Sequence, residues 1–227
     1  MEKPFPADMK AYRDVLGIKY LKGTGIEIGA GHVPTAFDPA KAQLRYVDYL
    51  PIDQLREVIG VSDAWKKPDV VDDGQTLNTF KDGSLNFIVA NHMLEHTEDP
   101  IGVLRTWIRK ISSGGLIYVT VPDRRFSFDR LRPLTDLEHL IRDHEEGPHW
   151  SKDQHYLEFS ELAISPTPTN IREKADELIR KDYRIHFHVW DQRSFLDFLL
   201  MFDARYHPVV FEHVGRNTNE IIAILRI

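Results

Sequence analysis

Five short apolar runs in the first 122 residues each stop at a glycine, an acid, an amide or a proline, and this rhythm constrains the fold most. Gly25-Ile26-Glu27-Ile28 ends in Gly29-Ala30-Gly31, and Arg45-Tyr46-Val47 ends at Asp48. Asp69-Val70-Val71 stops at Asp72-Asp73-Gly74, Leu85–Ala90 at Asn91-His92, and Leu116–Val121 at Pro122. Helical stretches near 52–59 and 99–111 fall between them, and a further helical stretch over 7–16 precedes them. Nearly continuous apolar strands alternating with helices predict a parallel sheet covered on both faces. The spacing predicts five βα units.

The rhythm breaks after Pro122. Residues 123–185 are charged, aromatic and helical, with Pro133, Pro148, Pro166 and Pro168 as punctuation. Asn170 with Glu173 predicts a capped helix over 171–182. A helix near 192–203 and two strands, Val209–His213 and Glu220–Arg226, follow, and Gly215–Asn219 between them suits a hairpin turn. One domain over 1–227 with a helical insertion at 123–185 is expected. At 227 residues the chain can form its core without disulfides or a structural metal.

Composition narrows the function. With no Cys, disulfides, thiolate zinc sites and cysteine catalysis are excluded. The balance of 29 basic against 35 acidic residues makes a poor surface for nucleic-acid backbone. No apolar run approaches the ~18 residues of a membrane span, and the opening MEKPFPADMKAY lacks a signal-peptide core. A soluble, cytoplasmic protein that engages neither membrane nor nucleic acid is expected.

In an open α/β sheet the ligand sits beyond the C-terminal strand ends. A dinucleotide fingerprint begun at Gly29 needs glycine where Pro34 stands, and Glu27 is a poor neighbour for pyrophosphate. A ligand carrying a sulfonium and an ammonium tolerates that acid. A nicotinamide-dependent oxidoreductase is therefore the weaker alternative, and a binding or regulatory protein that keeps the pocket without turnover is the other.

Over residues 20–122 and the final hairpin, the chain resembles the class I S-adenosylmethionine-dependent methyltransferases, in their small-molecule, type 11-like branch. Glu27-Ile28-Gly29-Ala30-Gly31 is similar to the family's acid-x-Gly-x-Gly loop, with Val33 or Pro34 near the place of the third glycine. Asp48 stands where the family's ribose-binding acid does, with Tyr49 beside it. Asp72-Asp73-Gly74-Gln75-Thr76-Leu77 resembles the adenine-contacting segment, Asp73 matching better than Asp72. Lys81–Val89 followed by Asn91-His92-Met93-Leu94-Glu95-His96, and Ser113-Gly114-Gly115-Leu116, are similar to the family's fourth strand and its turn into strand five. The resemblance implies a Rossmann-like, seven-stranded, mostly parallel sheet with helices on both faces, its last strand antiparallel between strands five and six. It implies S-adenosyl-L-methionine as cofactor, held by Glu27, Gly29, Ala30, Gly31, Asp48, Tyr49, Asp72, Asp73, Gly74, Asn91 and His92.

Methyl transfer to a hydroxyl gains from a nearby base, and the chain holds 11 His. His92 and His96 follow strand four. They serve either as acid–base groups or, as relatives with this Leu-Glu-His string imply, by packing on the cofactor and bonding backbone. His186 and His188 alternate around Phe187, so an extended chain would set both rings on one face, ~6.5 Å apart. That face leaves three roles open: base or substrate contact, structural hydrogen bonding, or metal binding with a third ligand from His144, His149, His155, Asp143 or Glu145. No metal is assigned. Arg124, Arg125, Arg130 and Arg132 could clamp an anionic acceptor, but their spacing among Asp123, Asp129 and Asp136 favours a structural network. Phe126, Phe128, Trp150 and Tyr156 suit a small core within the insertion. The polar insertion is expected to act as a lid over a small-molecule acceptor, probed first as a sugar or glycan-related hydroxyl.

Overall fold

The computed structural model describes residues 7–60, 62–164 and 166–227. Met1–Pro6, which carry part of the reading against a signal peptide, lie outside the described residues. Helix α1 (Ala7–Tyr20) leads to β1 (Gly23–Ile28) and a long loop to β2 (Ala42–Asp48). Helix α2 (Ile52–Ile59) crosses to β3 (Val70–Val71), and a chain of turns reaches β4 (Leu85–Asn91). Helix α3 (Pro100–Lys110) leads into β5 (Ile111–Pro122). Then come α4 (Leu137–Glu146), α5 (Lys152–Leu162), α6 (Ile171–Arg180), α7 (Gln192–Arg205) and the hairpin of β6 (Val210–Asn217) and β7 (Glu220–Arg226).

The seven strands lie in the order β3-β2-β1-β4-β5-β7-β6. All pairings from β3 to β5 are parallel, and β7 runs antiparallel between β5 and β6, as the resemblance implies. Strand order reverses where β1 meets β4, so a crevice opens above those two strand ends.

Alternate residues divide the core. Ile88 and Ala90 face the larger cluster with Trp107 of α3 and Phe195 and Phe198 of α7. Phe87 and Val89 face the other side, where Leu16 and Leu21 from α1 and its link close the sheet. Helices therefore cover both faces, but five βα units do not form. Residues 29–41, between β1 and β2, hold no helix. Val33 precedes Pro34 and is biased towards extended backbone. The next amide, that of Thr35, is given to the buried Glu27 carboxylate at 3.0 Å rather than to a helical carbonyl. Residues 72–84, between β3 and β4, are likewise turns.

Helix starts follow local chemistry. Asp99 caps α3 by accepting from the Gly102 amide, with Pro100 in the first turn, and Asn170 caps α6 by accepting from the Glu173 amide at 3.1 Å. Asp191 and Ser194 form a capping box on α7. The hairpin turn is tighter than expected, because β6 keeps pairing through Asn217 opposite Glu220.

The insertion and the segment that follows it share a small core of Tyr156, Phe159, Ala175, Leu178, Ile185 and Phe187, whereas Phe126, Phe128 and Trp150 stay exposed. Its arginines do form a network: Arg125 pairs with Asp123, and the fully buried Arg132 with Asp129 and Glu158, each at 2.8 Å.

Candidate active site

The crevice between β1 and β4 begins with the glycine loop. Gly29 and Gly31 adopt φ of 62° and 55°, a left-handed backbone that favours glycine. No atom lies within 4 Å of where a Gly29 side chain would start, so the loop is open on that side. Ala30 between them is half-buried. Glu27 turns inward: its carboxylate accepts from the Thr35 amide and hydroxyl and from Asn91 Nδ2 at 2.9 Å. Burial pushes its pKa up to about 7 against those hydrogen bonds. It anchors the loop to the end of β4. Asn91 is consumed by the same anchor, bonding Thr35 Oγ1 at 2.8 Å and Thr120 as well. Without a helix after the loop, no helix N-terminus faces the crevice from this connection, which removes the usual seat of a pyrophosphate.

Asp48 closes β2. Burial pushes its carboxyl up to about 6, opposed by the Tyr49 amide and by the Arg184 charge. That amide, at 2.8 Å, takes one oxygen. Asp72 is spent on its own loop, accepting from the Thr79 amide and hydroxyl at 2.8 and 2.7 Å. Asp73 faces across the crevice and holds Arg184 at 3.0 Å, while the Arg184 guanidinium lies 5.3 Å over the exposed Tyr49 ring. Gly74 is structural, because a side chain there would strike Ile28 at 2.4 Å. Asp73 also accepts from the Gln75 amide at 2.9 Å, so both neighbouring acids are engaged.

His92 follows β4 with φ of 51°, strained for a non-glycine residue and typical of functional positions. Its ring bridges two buried carboxylates, Glu220 at 2.8 Å and Glu95 at 3.3 Å. Burial opposes charge on the ring, but the two acids outweigh it and lift its pKa to about 9. Glu220 is held in turn by the buried Arg13 of α1. His92 is thus held charged between the two acids, with both ring nitrogens engaged.

His96 is the opposite. Its Nδ1 contacts the carbonyl oxygens of Arg184 and Ile185 at 2.9 and 3.1 Å, so Nδ1 carries the hydrogen and Nε2 the lone pair. Burial, then the neighbouring His186, hold its pKa below the usual value. His186 packs edge-on at 4.6 Å and donates Nδ1–H to Asp129 at 2.7 Å. Burial works against charge on Asp129, but His186 and Arg132 outweigh it and keep the carboxyl below its ordinary range. His96 lines a cleft of about 330 Å³ with Gln75, Glu98, Asp99, Asp182 and Arg184, and with Pro148, Tyr156 and Phe187.

The shared face of His186 and His188 is not found. Residues 184–190 form no regular strand; the Phe187 amide bonds the Glu95 carbonyl at 2.7 Å, and the segment is tied at its end by a single bridge between Trp190 and Asp123. His186 joins His96, while His188 is buried beside His139 and His155, away from the crevice. Sequence reasoning missed Arg13, Asp129, Arg184 and Glu220 as parts of the site. Glu95, inside the Leu-Glu-His string, was the one neighbour with a local signal.

Several solved structures share this architecture. An S-adenosylmethionine-dependent methyltransferase from Mesorhizobium loti aligns over 98% of both chains at 12% identity and a TM-score of 0.52. One from Aquifex aeolicus covers 99% of this chain and 100% of its own at 11% identity, with a TM-score of 0.46. A Rhodobacter sphaeroides structure described under Zn-dependent alcohol dehydrogenases aligns over 98% and 90% at 13% identity and a TM-score of 0.54, so the shared fold does not by itself separate the chemistries. No curated protein matches at the sequence level. The sequence profile of the methyltransferase domain family, however, matches residues 9–199, most of the chain and every residue of the crevice described above except Glu220. The chain belongs to the methyltransferase domain family, and it is an enzyme whose cofactor is S-adenosyl-L-methionine.

Proposed function

We propose that this enzyme methylates a hydroxyl of a small polar acceptor, a sugar or glycan-related compound, with His96 as the general base. One observation carries the reading: a neutral His96, its Nδ1 committed to two carbonyls, lines a cleft edged mostly by polar side chains. An apolar acceptor such as a quinone would find few partners there. The open loop at Gly29 and the acids Asp48 and Asp73 at neighbouring strand ends fit an adenosine ligand. The bound cofactor supplies an electrophilic methyl carbon. The protein would hold the acceptor oxygen in line with that carbon, at about 3–3.5 Å, so that the O–C bond forms as the carbon–sulfur bond breaks and the neutral thioether leaves. The hydroxyl proton passes to His96 Nε2, and the buried Glu95 carboxylate beside it favours the resulting cation. His186 and Asp129 keep the ring in place from behind. In this reading 123–185 is the lid over the acceptor, and a cytoplasmic location supplies the cofactor.

Incubation with cofactor and a panel of free, nucleotide-linked and glycosidic sugars, read by mass spectrometry, tests it. Gain of one methyl on a sugar is expected. Turnover confined to apolar acceptors, or an apolar compound found co-purifying, overturns it.

Three expectations arise from the crevice. Asp48→Ala removes the carboxylate best placed for the ribose hydroxyls, a charged hydrogen-bond acceptor worth about 1.5–3 kcal/mol. Calorimetry is expected to show cofactor binding weakened by about 10- to 150-fold in a folded protein. Arg184→Ala acts the other way, because Arg184 competes with the ligand for Asp73. A half-exposed pair of this kind is worth about 0.2–1 kcal/mol, so binding tightens by up to about fivefold; weaker binding makes Arg184 a clamp instead. Amides of 123–185 are expected to exchange faster than the sheet in the free protein and to slow once cofactor and acceptor are both bound. Uniform protection in the free protein makes the insertion a rigid addition.

A further inference from the structure

We propose that His139, Asp143, His155 and His188 form a site for one divalent transition-metal ion of the zinc type, within the insertion and its return segment. His139 and Asp143 stand one turn apart on α4, His155 comes from α5, and His188 from the buried run that follows α6. Each offers one ligand atom, and the four lie within 4.8 Å of one another. His139 Nε2 is 3.1 Å from Asp143 Oδ2 and 3.0 Å from His155 Nε2, and His188 Nε2 is 3.7 Å from the same Asp143 oxygen. An ion with tetrahedral bonds of about 2.0–2.1 Å holds its ligand atoms about 3.3 Å apart. The three distances bracket that value.

Hydrogen bonding alone does not account for the cluster. One N–H···N bond can join His139 to His155, and Ser151 Oγ donates to Asp143 Oδ1 at 2.9 Å. Among the described residues, Asp143 Oδ2 and His188 Nδ1 are then buried with no hydrogen-bond partner, a costly arrangement. An ion on Oδ2 answers the larger of the two debts, with Ser151 fixing the carboxylate from behind. Burial, then neighbouring imidazoles, hold His155 down to about 3 and His188 well below its ordinary value, so both rings present lone pairs. His188 Nε2 also lies 3.3 Å from the Glu98 carbonyl, a contact that an ion bound at this nitrogen would replace. Three imidazoles and one carboxylate suit zinc over calcium or magnesium, which prefer all-oxygen shells. Four protein ligands in a buried setting describe a structural centre.

The second cluster of possible ligands, Glu95, His96 and His186, belongs to the crevice, where Asp129 already engages His186. The proposed ion would touch none of those groups. It would join α4 and α5 to residues 184–190, which supply Arg184 and the carbonyls that orient His96.

The full chain, stripped with a chelator, is titrated with Zn²⁺ against a chromophoric competitor, and Co²⁺ is used as a spectroscopic stand-in. One equivalent per chain, tetrahedral Co²⁺ bands and a higher thermal midpoint on loading are expected. Asp143→Ala and the rim variant His139→Ala lose the equivalent, while His144→Ala, outside the cluster, keeps it. Should the variants fail to fold, the wild-type Co²⁺ spectrum decides. Absence of a bound equivalent, a non-tetrahedral spectrum, retention in folded Asp143→Ala, or loss only in His186→Ala overturns the proposal.

Discussion

His96→Ala is expected to lower turnover by ~10²–10⁴-fold, the usual contribution of a positioned general base, with cofactor affinity left within about twofold of wild type. Steady-state rates with the acceptor found in the sugar panel, beside calorimetry, measure the two halves separately. The pH profile adds a sign. A base works when deprotonated, and burial with the His186 charge lowers the His96 pKa. The acid limb of the rate should therefore fall below the ordinary histidine value of about 6.5. Wild-type turnover in His96→Ala, or an acid limb above that value, removes His96 as the base.

The second large effect is on stability. Glu220→Ala takes away the buried carboxylate that Arg13 and His92 share. Breaking a buried ion pair from one side costs about 3–5 kcal/mol. For a chain of this size that corresponds to a thermal midpoint lower by about 6–20 °C. The pH dependence follows from two shifts of opposite sign. His92 is raised from 6.5 to about 9, so its contribution is complete below 6.5 and is lost as pH rises through about 9. Burial disfavours the charged Glu220, yet Arg13 and His92 outweigh it and lower its pKa, so its contribution is present above 4.5 and lost in stronger acid. Wild-type stability should be greatest between those limits and decline on the alkaline side. His92→Gln should flatten the alkaline decline; an unchanged slope would assign it to other groups.

What the sequence discloses and what it hides divide along one line. Strand ends, the Asn170 cap and the antiparallel last strand are written in neighbouring residues, and each was legible. The missing helix after Gly31 was legible only in part: Val33-Pro34 disfavours a helix entry there, but nothing local records that the next amide meets a buried acid. The partners that set the histidine chemistry are distant: Glu220 lies 128 residues from His92, Asp129 57 from His186, and Arg184 111 from Asp73. No local period records such pairings. The alternation of His186 and His188 misled for a related reason. It holds for a strand in a ladder, whereas this segment takes its bonds from Glu95 and Thr135 and is routed by what it packs against.

The bond between Arg13 and Glu220 spans 207 residues. During synthesis at about 5–20 residues per second, α1 waits about 10–40 s after Arg13 is made before its carboxylate partner exists. Leu16 and Leu21 lack β5 for about the first half of that interval and β7 for all of it. Strand β7 is also the piece that fills the gap between β5 and β6, so the sheet cannot be completed piecemeal as the chain emerges. Only once the hairpin is made does the buried carboxylate of Glu220 reach Arg13 and His92, so the wall of the crevice they form is among the last parts of the fold to be fixed.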